Sequence, residues 1–224
     1  MSGRSPKLRL FERFAIVAKA LSHAHRLELL ELLAQGERSV EALANIAGLS
    51  VANTSRHLQH LRLAGLVASQ KKGLYVFYRV AGDDVIDLLG SLRRTGERHL
   101  GEVNQFVFSY FNQRDSLEPI SRDELRERSK KGLVTVLDVR PVEEYESGHI
   151  PDAINVPLKN IEKYIAGLPV GREIIAYCRG SYCALAFEAV ATLRERGFEA
   201  RRLEEGFPEW KAAGLPVESE RKNL

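Results

Sequence analysis

The last hundred residues alternate short apolar runs with helical patterns, and this alternation restricts the fold more than any other feature of the chain. Runs at 134–139, 153–157, 174–177 and 200–203 have the length and composition of buried strands. Segments 122–131, 143–147, 158–166 and 184–196 carry helical spacing, with Ser121 placed to cap the first. Strands alternating with helices form a parallel sheet covered on both faces, an α/β fold. In such a sheet the functional site lies beyond the carboxyl ends of the strands. At one of these ends the chain reads Tyr177-Cys178-Arg179-Gly180-Ser181-Tyr182-Cys183-Ala184, which holds both of its cysteines. A thiol between a buried strand and a helix start faces loop N–H groups and the positive end of a helix dipole, and that placement favours thiolate. Cys178 is therefore the expected sulfur nucleophile.

The first part of the chain follows a different pattern. Helical spacing covers 7–21, 25–34, 40–47 and 51–64, with Ser22, Ser39 and Ser50 as expected caps and Gly36, Gly48 and Gly65 as stops. Two short helices joined by the turn at 47–50 make a helix-turn-helix. After Gly65 the period becomes strand-like, and runs at 66–70 and 74–80 flank Lys71-Lys72-Gly73 as a hairpin. A helix-turn-helix followed by a basic-tipped hairpin is a mainly-α winged helix. Its second helix enters the major groove of double-stranded DNA. Leu49, Leu58 and Leu61 are expected to face the core, and Val51, Asn53, Ser55, Arg56 and Gln59 to face outward. Arg56 suits guanine, while Asn53 and Gln59 suit adenine. Lys71 and Lys72 are expected on phosphates, supplying salt-dependent affinity rather than specificity. Charge agrees: residues 1–82 hold 12 Lys/Arg against 5 Asp/Glu, whereas 116–224 hold 17 against 19.

This half resembles the ArsR/SmtB winged-helix repressors in three stretches: 22–30 (SHAHRLELL), 55–67 (SRHLQHLRLAGLV) and 73–78 (GLYVFY). The resemblance implies a homodimer on a palindromic operator, repressing until an effector releases it. Many members bind metal through cysteines before the recognition helix, but 38–44 has none. Others use paired ligands on the last helix. Here His99 and Glu102 keep a His-x-x-Glu spacing, yet their partner positions fall on Ile86 and Leu88. Half a site does not supply four ligands, so no metal is expected. Residues 83–111 read as one long helix, or two broken near Gly96. Val85, Ile86, Leu88, Leu89 and Leu92 form one apolar cluster there; Val103, Phe106, Val107, Phe108, Tyr110 and Phe111 form a second. Together with the first helix they are the expected dimer seam. The polar, proline-broken stretch at 112–119 places the linker. The expected domains are 1–112 for DNA binding and dimerisation, 113–118 as linker, and 119–224 as the α/β domain.

The second half resembles the rhodanese homology domain. The matching stretches are 137–140 (LDVR), 144–157 (EYESGHIPDAINVP), 177–179 (YCR) and 205–217 (EGFPEWKAAGLPV). This implies that Cys178 takes a sulfane sulfur as a persulfide and passes it to a thiophilic acceptor. Candidate donors are thiosulfate, polysulfide and low-molecular-weight persulfides, with no cofactor. Arg179 is expected to add positive charge beside the thiolate and to hold an anionic donor. Gly180 permits close backbone approach, and Ser181 and Tyr182 complete the loop. The loop departs from the common rhodanese pattern in two places. Its glycine comes one position early, and Cys183 stands where many members have Arg or another polar residue. Cys183 is either a resolving thiol, which attacks the persulfide and releases sulfide, or a small buried hydrophobe. Asp138, Arg140, Glu144 and His149 are expected to organise the loops around the site, and Trp210 to pack in the core.

Two cysteines in 224 residues argue against a disulfide framework, and no stretch reaches the length of a membrane span, so a cytoplasmic protein is expected. Three functions stay open. One is a repressor with the rhodanese domain as reactive-sulfur or redox sensor. Another is a sulfurtransferase that uses the winged helix for dimerisation or targeting. The third is a repressor with a catalytically silent rhodanese domain.

Overall fold

The computed structural model describes residues 5–107, 109–110, 119–168 and 171–220. The expected linker at 113–118, and Phe108 and Phe111 of the second apolar cluster, lie outside the described residues. The chain divides into two compact units, Met1–Val85 and Ile86–Leu224.

In the first unit α1 (Pro6–Leu21) and α2 (Ala24–Ala34) precede a two-residue strand, β1 (Arg38–Ser39). Then come α3 (Val40–Ile46), α4 (Val51–Leu63), and the antiparallel strands β2 (Val67–Lys72) and β3 (Tyr75–Val80). The hydroxyls of Ser39 and Ser50 accept from the Ala42 and Asn53 amides and start α3 and α4. Ser22 does not cap α2. Its hydroxyl donates to the Lys19 carbonyl at 2.8 Å and so closes α1, while His23 takes the N-cap position with no side-chain bond. Between α3 and α4, Gly48 sits at φ 65°, the left-handed conformation that the tight turn requires. Leu29, Leu30, Leu43, Leu58 and Leu61 are fully buried and hold the helices together. The sheet order is β1-β3-β2, and β1, which helical patterning had not marked, pairs Arg38 with Tyr78.

Helix α5 (Asp83–His99) begins in the first unit and continues in the second, and α6 (Gly101–Val107) follows it. The break between them falls at Leu100, four residues beyond Gly96. The second unit continues with α7 (Arg122–Lys130), β4 (Val134–Asp138), α8 (Val142–Ser147) and β5 (Ile154–Asn155). It ends with a short α9 (Ile161–Tyr164), β6 (Glu173–Tyr177), α10 (Ala184–Glu195), β7 (Ala200–Arg202) and α11 (Phe207–Ala212). The sheet is parallel, in the order β5-β4-β6-β7. Its two faces are buried by separate apolar clusters. One contains Leu137, Ile174, Ala189 and Val190, and the other Ile120, Val136, Ile175 and Trp210. β4 and β6 are thus covered on both sides, which explains why they read as continuous apolar runs.

Candidate DNA interface and reactive-cysteine loop

Helix α4 separates its residues by face. Thr54, His57, Leu58 and Leu61 point inward. Val51, Arg56 and Gln59 are exposed, and Asn53 and Ser55 are half-buried. Leu49, expected in the core, is half-buried in the turn. In the hairpin Lys71 and Lys72 are both exposed, but their surroundings differ. Lys72 pairs with the Glu37 carboxylate and lies 5.1 Å from the Phe77 ring centre. Glu37 carried no signal in the sequence, because its partner lies across the sheet. The turn is Gly73-Leu74 rather than Lys71-Lys72-Gly73, and Leu74 in it is 95% exposed. Within the unit the His57 ring lies tilted against His23 at 4.5 Å and His25 at 6.0 Å between ring centres. Burial, followed by the charges of His23, Arg26, His25 and His60, holds the His57 imidazole below its ordinary value. No group of three or more His, Cys, Asp or Glu among the described residues is arranged to hold a metal ion.

In the second unit β6 delivers Cys178 to the end of the sheet, where it is 1% exposed against Val139, Val156 and Ala186. Cys183 occupies the N-cap position of α10. The two are joined by a disulfide with a Cα–Cα separation of 6.3 Å. Between them Gly180 accepts from the Cys183 amide at 3.1 Å and tightens the loop. Ser181 and Tyr182 are half-buried there.

Charged side chains brace the loop from below. Asp138 and Arg140 are both fully buried. Arg140 donates through Nε to both Asp138 oxygens at 3.0 and 3.1 Å, and through a terminal nitrogen to the Gly148 carbonyl at 2.8 Å. Its guanidinium lies 4.3 Å from the Phe207 ring centre. The Phe207 amide in turn donates to the Cys178 carbonyl at 3.1 Å. Removing either partner of the buried Asp138–Arg140 pair would strand an uncompensated charge in the core. His149 donates from Nδ1 to the Tyr145 carbonyl at 2.9 Å and stacks on that ring, so its place is in the scaffold of the α8 turn.

Arg179 does not face the sulfur as a free cation. Its Nε and a terminal nitrogen reach the Glu144 carboxylate at 2.7–3.1 Å, and Glu144 is 2% exposed. This fork-on-carboxylate pair offsets the positive charge expected to hold an anionic donor.

A second set of contacts reaches the loop from α5. The Tyr182 hydroxyl donates to Glu97. Glu97 also pairs with Arg93 at 3.6 Å, and Arg93 with Glu209 at 3.0 Å. The other Glu209 oxygen accepts from the Gly206 amide at 3.1 Å. Gly206 presses on the loop itself: a Cβ there would lie 2.4 Å from the Arg179 carbonyl carbon and the Gly180 nitrogen. These contacts link both sides of the cysteine loop to one helix. Burial, then the hydrogen bond and charge of Glu97, pushes the Tyr182 phenol well above its usual value, so it stays a proton donor. Neither Glu97 nor Arg93 was legible as a site residue, since 85 positions separate Glu97 from Tyr182.

Two family models match the chain. Residues 121–213 match the Rhodanese-like domain, and residues 24–69 match the bacterial regulatory protein, arsR family. The HTH-type transcriptional regulator Rv0324 of Mycobacterium tuberculosis is 42% identical over 219 residues, covering 97% of this chain and 96% of that protein. A sulfurtransferase of Allochromatium vinosum is 32% identical over 85 residues, 38% of this chain and 78% of that protein. Among solved structures, the homodimeric winged helix-turn-helix DNA-binding domain (fragment 1–100) of Mb0332 from Mycobacterium bovis is 41% identical, with a TM-score of 0.41. It covers 46% of this chain and 95% of that one. The full-length match joins the basic helix-turn-helix and the cysteine-bearing α/β unit in one regulator: the chain belongs to the arsR family of bacterial HTH-type transcriptional regulators and carries a rhodanese-like domain after its DNA-binding domain.

Proposed function

We propose that the protein is a cytoplasmic, homodimeric repressor in which the Cys178–Cys183 pair senses reactive sulfur and changes the affinity of the winged helix for its operator. The observation that carries this reading is the pairing of the only two cysteines across one loop whose Tyr182 is bonded to helix α5. Exposed Leu8, Leu10, Phe11 and Phe14 on α1 supply apolar surface for a second copy. Val51, Asn53, Ser55, Arg56 and Gln59 read bases, and Lys71 contributes phosphate contact.

The chemistry balances as two exchanges. The Cys178 thiolate attacks the outer sulfur of a donor R–S–SH, forming Cys178–S–SH and releasing RS⁻. The Cys183 thiolate then attacks the Cys178 sulfur, forming the disulfide and releasing HS⁻. The dithiol is oxidised by two electrons, and the donor is reduced to a thiol and sulfide. A low-molecular-weight thiol reverses the change and resets the loop. With Arg179 held by Glu144, the loop suits an uncharged or thiol-linked sulfane donor better than a dianion such as thiosulfate.

The test is operator affinity at fixed salt for reduced protein, polysulfide-treated protein, Cys178→Ser and Cys183→Ser. The reading expects polysulfide to change affinity in the wild type and in neither variant. Unchanged affinity in the wild type refutes it. The match to a rhodanese-like domain favours a second reading, a working sulfurtransferase. Sustained thiosulfate:cyanide or persulfide transfer that Cys178→Ser abolishes and Cys183→Ser leaves intact supports that reading.

A further inference from the structure

The second unit holds a cavity of about 540 Å³ that the cysteine loop does not use. It opens at the amino-terminal end of the sheet, where Val134 of β4 pairs with Glu173 of β6. Its lining reaches as far as Ile154, level with Ala176 of β6, but Cys178 belongs to the apolar cluster on one face of the sheet and Val134, Val136, Ile150 and Trp210 to the cluster on the other. The volume lies in the range of small-molecule sites, about 300–1,000 Å³.

The walls are apolar. Val134, Val136, Ile150, Ile154 and Trp210 line the cavity. Three cations, Arg126, Lys130 and Arg172, line it as well, against one acid, Asp152. Arg172 stands apart from the other described arginines between Ile120 and Glu220. Arg122, Arg126, Arg128, Arg140, Arg179, Arg196 and Arg201 are each paired with a carboxylate. Arg194 donates to the Ala200 carbonyl, and Arg202 lies over the Phe187 ring. Among the described residues Arg172 has no such partner. A unit that commits its other described guanidinium groups to carboxylates, a carbonyl or a ring leaves Arg172 uncommitted beside an apolar hollow, and among the described residues Lys130 has no ion-pair partner either.

We propose that this cavity binds a medium-chain aliphatic carboxylate of about eight to ten carbons. The hydrocarbon tail lies along Val134, Val136, Ile150 and the Trp210 ring, and the carboxylate meets Arg172 and Lys130 at the rim. The net positive rim selects an anion over a neutral or cationic amphiphile. The mainly aliphatic wall offers few hydrogen-bond donors to a larger polar body, so one anionic head on an apolar chain is the complementary shape. This assignment is independent of the sulfur chemistry of the loop.

Trp210 is the single tryptophan of the chain and lines the cavity, so the full-length protein reports its own binding. Octanoate is the probe, titrated at low salt while tryptophan emission is followed, with 1-octanol and octylammonium as charge controls. A saturable emission change with octanoate, and at least tenfold weaker binding of both controls, is expected. Lys130→Gln combined with Arg172→Gln is expected to weaken octanoate at least tenfold and leave octanol unchanged. Ser129→Phe, an exposed wall position, is expected to block both. All three substitutions lie on exposed side chains and spare the core. The proposal is overturned by no saturable change up to about 5 mM octanoate, by equal affinity for octanoate and octanol, or by wild-type affinity in the double variant.

Discussion

Tyr182→Phe removes one oxygen from the cysteine loop and isolates the link between that loop and α5. The lost contact is a phenol donating to a carboxylate, a class of bond that contributes about 1.5–3 kcal/mol when charge-assisted. Glu97 is 31% exposed and keeps Arg93 at 3.6 Å after the substitution, so solvent and the remaining cation offset part of the loss. About 1 kcal/mol remains, a factor of about five in an equilibrium constant. If opening of the disulfide releases Tyr182 from Glu97, that factor appears in two places. The dithiol–disulfide midpoint measured against glutathione shifts by about 20 mV toward easier reduction. The ratio of operator affinities between reduced and oxidised protein falls about fivefold, because the same bond couples loop state to helix. Glu97→Gln, which keeps an acceptor oxygen, is expected to produce a smaller shift in both. The reasoning is refuted if Tyr182→Phe leaves the midpoint and the affinity ratio unchanged while Cys183→Ser alters DNA binding. The hydroxyl contact would then be the same in both loop states.

Three further outcomes follow from the geometry. Gly206→Ala places a methyl group 2.4 Å from the Arg179 and Gly180 backbone, which cannot move aside as a side chain would; a loss of about 2–3 kcal/mol in thermal or denaturant unfolding is expected, with faster alkylation of the reduced Cys178. Lys71→Gln is expected to weaken operator binding and lower the salt slope by about one, whereas Lys72→Gln has a smaller effect because Lys72 already pairs with Glu37; equal slopes for the two would refute the distinction. The depressed His57 imidazole makes stability fall on acidification: above pH 6.5 folded and unfolded chains are both neutral there, and below it the unfolded chain takes up the proton first. The stability contribution is thus complete above about 6.5 and lost as pH falls through the lower native value, so melting between pH 7.5 and 5 should drop more in the wild type than in His57→Leu.

How far each feature was legible follows from the range of the interaction behind it. The parallel sheet was readable because its strands are buried on both faces and therefore mainly apolar, as residues 134–137 and 174–177 are apart from Thr135. The serine caps of α3 and α4 were readable because a cap is satisfied three residues away. Ser22 shows the limit of that rule: the same hydroxyl can close the preceding helix, and in the folded chain it does. The short β1 was missed because two residues carry no period, and its pairing with β3 is set by tertiary packing.

At the cysteine loop the residue types were legible and their commitments were not. Arg179 follows the nucleophile in sequence, and local reasoning gives its charge to the sulfur. Glu144, 35 positions earlier, takes that charge in the folded chain. The same holds for Tyr182, which reads as a loop filler until Glu97 is brought to its hydroxyl. Both corrections move polar groups of the loop away from a bound anion and onto the protein's own carboxylates. A loop built to turn over thiosulfate gains from free cations at its mouth. A loop built to report its own oxidation state gains from bonds that tie it to neighbouring elements. Glu144→Gln separates these alternatives, because it frees the Arg179 guanidinium without removing either cysteine. Raised thiosulfate:cyanide transfer in that variant, together with a smaller redox effect on operator affinity, is the outcome the geometry predicts; unchanged transfer would mean that Arg179 has no bearing on donor choice.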